Sequence, residues 1–173
     1  MVKVMRKIVL SLLILGINMI QAQVKTDNAS NPFFAEFETV HNTIPFDRIE
    51  NKYYEEAIDR GMALQNSEIE AIVNSQEAPT FENTIVTLER SGADLNRVLG
   101  TFYPILSALS DDELMEISLR VSAKLSQHST GISLNEGLWK RIKAVHDNKD
   151  NLSLNPEDAM LLETTYDLSL IHI

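Results

Sequence analysis

The chain has no cysteine, so disulfides and thiolate-held metals are excluded and packing alone must hold the fold. It has no G-x-S-x-G, no glycine run of the kind that cradles phosphate and no calcium-loop spacing. Positive charge is scarce: 15 Lys and Arg stand against 25 Asp and Glu, a net charge of −10. Three of the cations, Lys3, Arg6 and Lys7, sit at the extreme N-terminus, so the remainder is more acidic still. Such a surface repels phosphate backbones, which argues against nucleic acid as a partner. The longest apolar run, Ile8 to Ile20, is interrupted by Asn18 and falls short of the roughly 20 residues that span a bilayer, so no stable membrane anchor is expected.

What is present at the N-terminus is a leader. Three cations, the apolar run and a small residue at Ala22 give the three-part layout of a secretory signal, expected to end at residue 22 and to make the protein exported, periplasmic or secreted. No cysteine follows for lipid attachment. Residues 23–173 match the common size of one domain, roughly 100–150 residues.

Residues 23–44 mix Asn, Thr and Ser with Phe33, Phe34 and Phe37 and keep no period; they read as an extended lead-in whose aromatics pack onto something. From Pro45 onward the pattern is helical. Tyr54, Ile58, Met62, Ile69 and Ile72 recur at spacings of three, four and seven, one apolar stripe on a helix of about six turns, with Glu55, Glu56, Asp59 and Arg60 on the solvated face. Pro79 stops that element, and Thr80 can cap the next. Ile85, Leu88, Leu95, Leu99, Phe102 and Leu106 line it, with Gly92 inside the pattern marking either a bend or a close helix crossing. Ser110 to Glu113 spells a capping box, S-x-x-E, ahead of Leu114, Ile117, Val121 and Leu125. A shorter helix carries Leu138, Ile142 and Val145, and Asn155 with Pro156 starts a last one. No run alternates apolar and polar residues for long enough to make a strand. The fold class is therefore all-α, built as antiparallel helical hairpins in a bundle.

The candidates for chemistry are His41, His128, His146 and His172. None is followed by Glu and no pair is three or four residues apart, so the H-E-x-x-H arrangement, in which two histidines hold zinc and the glutamate moves the proton of its water, is missing. His128 and His146 read as helix-surface or helix-end residues. Glu55 with Glu56, and Asp111 with Asp112, are adjacent pairs; neighbours on a helix point about 100° apart, which disfavours joint acid and base work on one atom. Asn28 and Asn151 head glycosylation triplets, a motif short enough to arise by chance. Trp139 reads as a packing group. No catalytic, cofactor-binding or metal-binding residue is assigned.

One stretch carries more information. "PTFENTIVTLERSGADLNRV", Pro79 to Val98, resembles a segment near the N-terminus of the thimet oligopeptidase and peptidyl-dipeptidase family of zinc metallopeptidases. Asn31 to Ile49, His128 to Asp147 and Leu154 to Leu168 agree in the same order, so the resemblance covers most of the chain after the leader. It implies that residues 45–167 are the N-terminal helical region of a larger all-helical peptidase that cuts short peptides, one wall of a channel that keeps folded proteins out. It also implies zinc in the complete enzyme, held in a C-terminal catalytic half that is missing here, so this chain alone is expected to be inactive. Residues 168–173, "LSLIHI", depart from the family pattern and resemble a translated sequencing adapter; they are expected to be a non-native tail. The alternative reading is a self-contained exported helical module that binds or assembles without catalysis.

Overall fold

The computed structural model describes residues 31–170; the expected leader, Asn28, His172 and the last three residues of the expected tail lie outside them. The chain divides into two units, Met1–Tyr53 and Tyr54–Ile173. In the first, Asn31 organises the start of the described chain. Its Oδ1 accepts from the Phe33 amide at 3.1 Å and its Nδ2 donates to the Tyr53 carbonyl at 3.0 Å. Phe33 and Phe37 are buried and meet edge to face at 5.9 Å. The lead-in is not uniformly extended: 3-10 turns occupy Pro32–Phe34 and Val40–Asn42. The helix expected from Pro45 begins only at Lys52, because Arg48 closes a tight turn onto the Pro45 carbonyl at 2.9 Å and the chain must straighten before it can coil.

The second unit is helical, and no strand occurs among the described residues. α1 spans Lys52–Asn74, a π-helical segment Phe81–Val86 runs into α2 at Thr87–Arg90, and α3 spans Ala93–Leu109. α4 is Asp112–Ser133, α5 is Glu136–Asp147 and α6 is Pro156–Leu170. The α1 stripe is buried at Tyr54, Ile58, Ile69 and Ile72, and Met62 lies half-buried beside it. α3 runs antiparallel to α1: Tyr54 meets Phe102 edge to face at 5.1 Å, while a Cβ on Gly61 would come within 2.8 Å of the Leu95 backbone. α4 returns alongside α1 in the same direction, as an up-down-up path requires. α5 and α6 form a further antiparallel pair, with Trp139 against Tyr166 and His146 against Glu163.

A core cluster joins four elements: Ile69 and Ile72 from α1, Phe81 and Ile85 from the π segment, Leu138, Ile142 and Val145 from α5, and Leu162 from α6. The connections are capped as the residues suggest. Thr80 Oγ1 accepts from the Asn83 amide at 3.1 Å, and Asn83 Oδ1 accepts from the Thr80 amide at 2.8 Å, a reciprocal box. Asn155 Oδ1 accepts from the Asp158 amide, with Pro156 as the first helical residue. α4 differs from expectation. Ser110 ends α3, and it is Asp111 whose carboxylate accepts from the Leu114 amide at 2.8 Å, so no S-x-x-E box forms; Asp112 and Glu113 still sit in the first turn, where the helix dipole favours them.

Gly92 answers the question its position raised with a bend; the close helix approach lies at Gly61 instead. The Gly92 φ of +72° breaks the helix between α2 and α3, and a Cβ there would lie 2.4 Å from Gln65 Nε2 on α1. Its amide donates to Glu68 Oε2 at 2.7 Å. Gly92→Ala should therefore destabilise the fold by about 1–3 kcal/mol, from the left-handed backbone and the clash together; a denaturation midpoint equal to that of the parent would refute this.

Arg141 is the least expected member of the interior. It sits on the buried face of α5 and donates Nη1 to the Ser75 and Glu77 carbonyls, both at 3.2 Å, and Nη2 to Asn83 Oδ1 at 3.1 Å. It thereby ties the end of α1, the linking loop and the cap of the π segment to α5. Arg141→Met keeps much of the volume but strands three acceptors, so urea unfolding should show a loss of about 2–3 kcal/mol.

Candidate functional site

A groove of about 430 Å3 lies between α1 and α4, lined by Asp59, Met62, Ala63 and Asn66 on one side and Lys124, Gln127, His128 and Gly131 on the other. Because the two helices run in the same direction, residues four apart on each meet as rungs. Glu55 takes Arg120 Nε at 3.0 Å and Lys124 Nζ at 3.2 Å, and Asp59 takes Lys124 at 2.8 Å. Arg120, then Lys124, hold the Glu55 carboxyl below its ordinary value, while Asp59, then Glu55, raise the Lys124 ammonium. These side chains are a third to a half exposed, so the rungs fix the relation of two helices more than they add stability.

Deeper along the groove, His128 Nε2 meets Gln65 Oε1 at 2.7 Å, and Gln65 Nε2 reaches Ser91 Oγ at 3.4 Å. Burial lowers the His128 pKa from its ordinary 6.5. Its bonded partner is a neutral amide, so the ring lacks the carboxylate that orients a general base in hydrolytic triads.

The second cluster surrounds His146 in the last turn of α5. Its ring stacks on Tyr166 at 3.7 Å, and its Nε2 lies 3.1 Å from Glu163 Oε2 and 3.2 Å from Lys149 Nζ. Lys149 also donates to Glu163 Oε1 at 2.6 Å, and it, followed by His146, lowers the Glu163 pKa. An ammonium within hydrogen-bond reach of both potential donors takes the place a metal would need, so this set does not fit zinc. Among the described residues no three His, Asp or Glu side chains gather in a metal-binding group.

Of the sequence candidates, then, His128 and His146 go to different clusters and His41 lies in the Val40–Asn42 turn with a φ of 60°. Glu55 is spent on α4, and Asp111 and Asp112 on the start of α4. Trp139 packs on Tyr166 at 5.1 Å. Sequence reasoning did not find the groove. Its signal was present: acids at 55 and 59 and bases at 120 and 124 share one spacing of four, which suits two helices side by side.

No family model matches the chain. The dipeptidyl carboxypeptidase of Salmonella typhimurium (strain LT2) is 36% identical over 138 residues, and that of Escherichia coli (strain K12) 35% over 136 residues. These stretches cover 80% and 79% of this chain. Over that region the chain belongs to the peptidyl-dipeptidase family, as its sequence suggested. It spans about 20% of the length of each of these curated relatives.

His128 supplies a pH test. Its folded pKa is depressed, so its contribution to stability is complete above about 6.5 and is lost as pH falls through the lower folded value. Urea unfolding at pH 7 and pH 5 should show a smaller acid loss for His128→Gln than for the parent; equal losses would show that His128 plays no part.

Proposed function

We propose that this chain is a non-catalytic part of an exported zinc metallopeptidase that hydrolyses short peptides, and that its helices form part of a channel wall restricting substrate access. The observation that carries this reading is the 35–36% identity to dipeptidyl carboxypeptidases across four-fifths of the chain. The packing agrees with it. The stretch that most resembles the family, Pro79 to Val98, contributes buried and capping residues, Phe81, Thr84, Ile85, Leu95 and Val98 among them. A wall needs helices fixed in place rather than reactive groups, and the rungs between α1 and α4 supply that rigidity.

In the complete enzyme zinc would activate the attacking water. On this reading the zinc and its ligands belong to the part of the enzyme outside this chain, and these side chains serve to hold the wall. The alternative, a self-contained binding module, differs in one observable respect: it would need no further coding sequence.

Two measurements test the proposal. The 173-residue chain, incubated with oligopeptides with and without added zinc, should release no product; chelator-sensitive turnover by this chain alone would overturn it. The genomic reading frame, followed past the codon for Asp167, should reach an H-E-x-x-H motif and encode a product that removes dipeptides from peptide C-termini. A frame that closes after Ile173 would hand the case to the binding module.

A further inference from the structure

The α3–α4 hairpin carries a surface unlike the rest of the molecule. From Val98 to Ser110 the chain has no charged residue, although charged residues make up 23% of the whole. Tyr103 and Leu109 on this stretch are 45% and 72% exposed. On α4, Met115 and Leu119 follow at 49% and 73%. Placed at 100° per residue, Met115, Leu119, Ser122, Ala123, Ser126, Ser129 and Thr130 fall within one sector of about 120° on α4, and all are exposed; Asp112 in the first turn shares the sector and Glu116 borders it, so the uncharged lane begins at Met115 and ends at Thr130. The ion-pairing residues Arg120 and Lys124 lie to one side of that sector, and the buried Leu114, Ile117 and Val121 to the other. The Ser122 hydroxyl donates to its own helix at the Ser118 carbonyl, 2.6 Å, which makes the lane less dependent on water.

We propose that this uncharged surface of the α3–α4 hairpin is a docking face for a helix of the same polypeptide, from the part of the longer peptidase outside this chain. The inference rests on the reading under Proposed function. Three observations choose the occupant. The relatives are about five times as long as the matched stretch, since it covers 20% of each, so ample chain exists to cover the face. From Met115 to Thr130 the lane is about 24 Å long at 1.5 Å per residue, and its small side chains flanking Met115 and Leu119 form a surface into which a helical ridge can settle. A second copy is disfavoured by charge, because each chain carries −10 and two would repel.

The test uses Leu119→Lys with Ser126→Lys, both on the lane and outside the rungs. In the 173-residue chain these positions are exposed, so the melting temperature should hold while binding of a hydrophobic dye is lost. In the longer product of the same locus the pair should lower the melting temperature by several degrees, because the lysines would be driven into a covered interface. An unchanged melting temperature in an active longer product overturns the docking face and leaves the proposed function standing. Concentration-dependent dimerisation of the 173-residue chain, abolished by the lysines, overturns it in favour of a second copy. Absence of any longer product removes both proposals together.

Discussion

A guanidinium buried without a carboxylate partner governs the arrangement of this molecule. Arg141 is 8% exposed; its Nη1 and Nη2 donate to two backbone carbonyls and one amide oxygen, while its Nε is buried without a partner. Desolvating a cation is costly, and here that cost is offset only if Ser75, Glu77 and Asn83 all hold their places. The end of α1, the loop after it and the first turn of the π segment are thus constrained jointly, and α5, which carries Arg141, is constrained with them. The apolar cluster of Ile72, Phe81, Ile85, Leu138 and Ile142 closes around that arrangement. Asn83 links the two, since it receives Arg141, completes the cap with Thr80 and donates to the Ala78 carbonyl.

That geometry gives a physical meaning to the similarity with dipeptidyl carboxypeptidases. The residues of Pro79 to Val98 are those that a cap, a wide π turn and a left-handed glycine require. Thr87 donates its amide to the Glu82 carbonyl, five residues back, which brings Thr84 and Ile85 both to the interior. Gly92 then lets the chain turn beneath Gln65. These are demands of packing, so the stretch identifies a relationship while bearing no reactive group.

Much of this was legible in the sequence where a local rule decides the outcome. Thr80, Asn155 and Pro156 begin their elements as their side chains require, and the stripes on α1, α4 and α5 bury the residues their spacing marks except Met62 and Leu125, which are half-buried. Ser110 was misread because it and Asp111 are both good caps, and the choice depended on where α3 ended. The start of α1 was placed early because Pro45 and Phe46 belong to a turn whose spacing imitates a helix. Arg141 left a trace that went unused: at three residues past Leu138 and four before Val145 it lies on the apolar stripe, where a cation signals a buried set of acceptors. The groove and its rungs needed two helices set side by side, a relation that periodicity within one helix does not contain.

The fastenings along α1 differ in one property. Glu55, Asp59 and Gln65 hold its first two-thirds against α4 by reaching across to Arg120, Lys124 and His128, whereas its far end is held from α5 by the Arg141 guanidinium on the backbone carbonyls of Ser75 and Glu77. A change of side chain on α1 can therefore release α4, but no substitution at Ser75 or Glu77 other than one that moves the chain removes the carbonyls Arg141 holds, so mutation reaches one of the two fastenings and not the other.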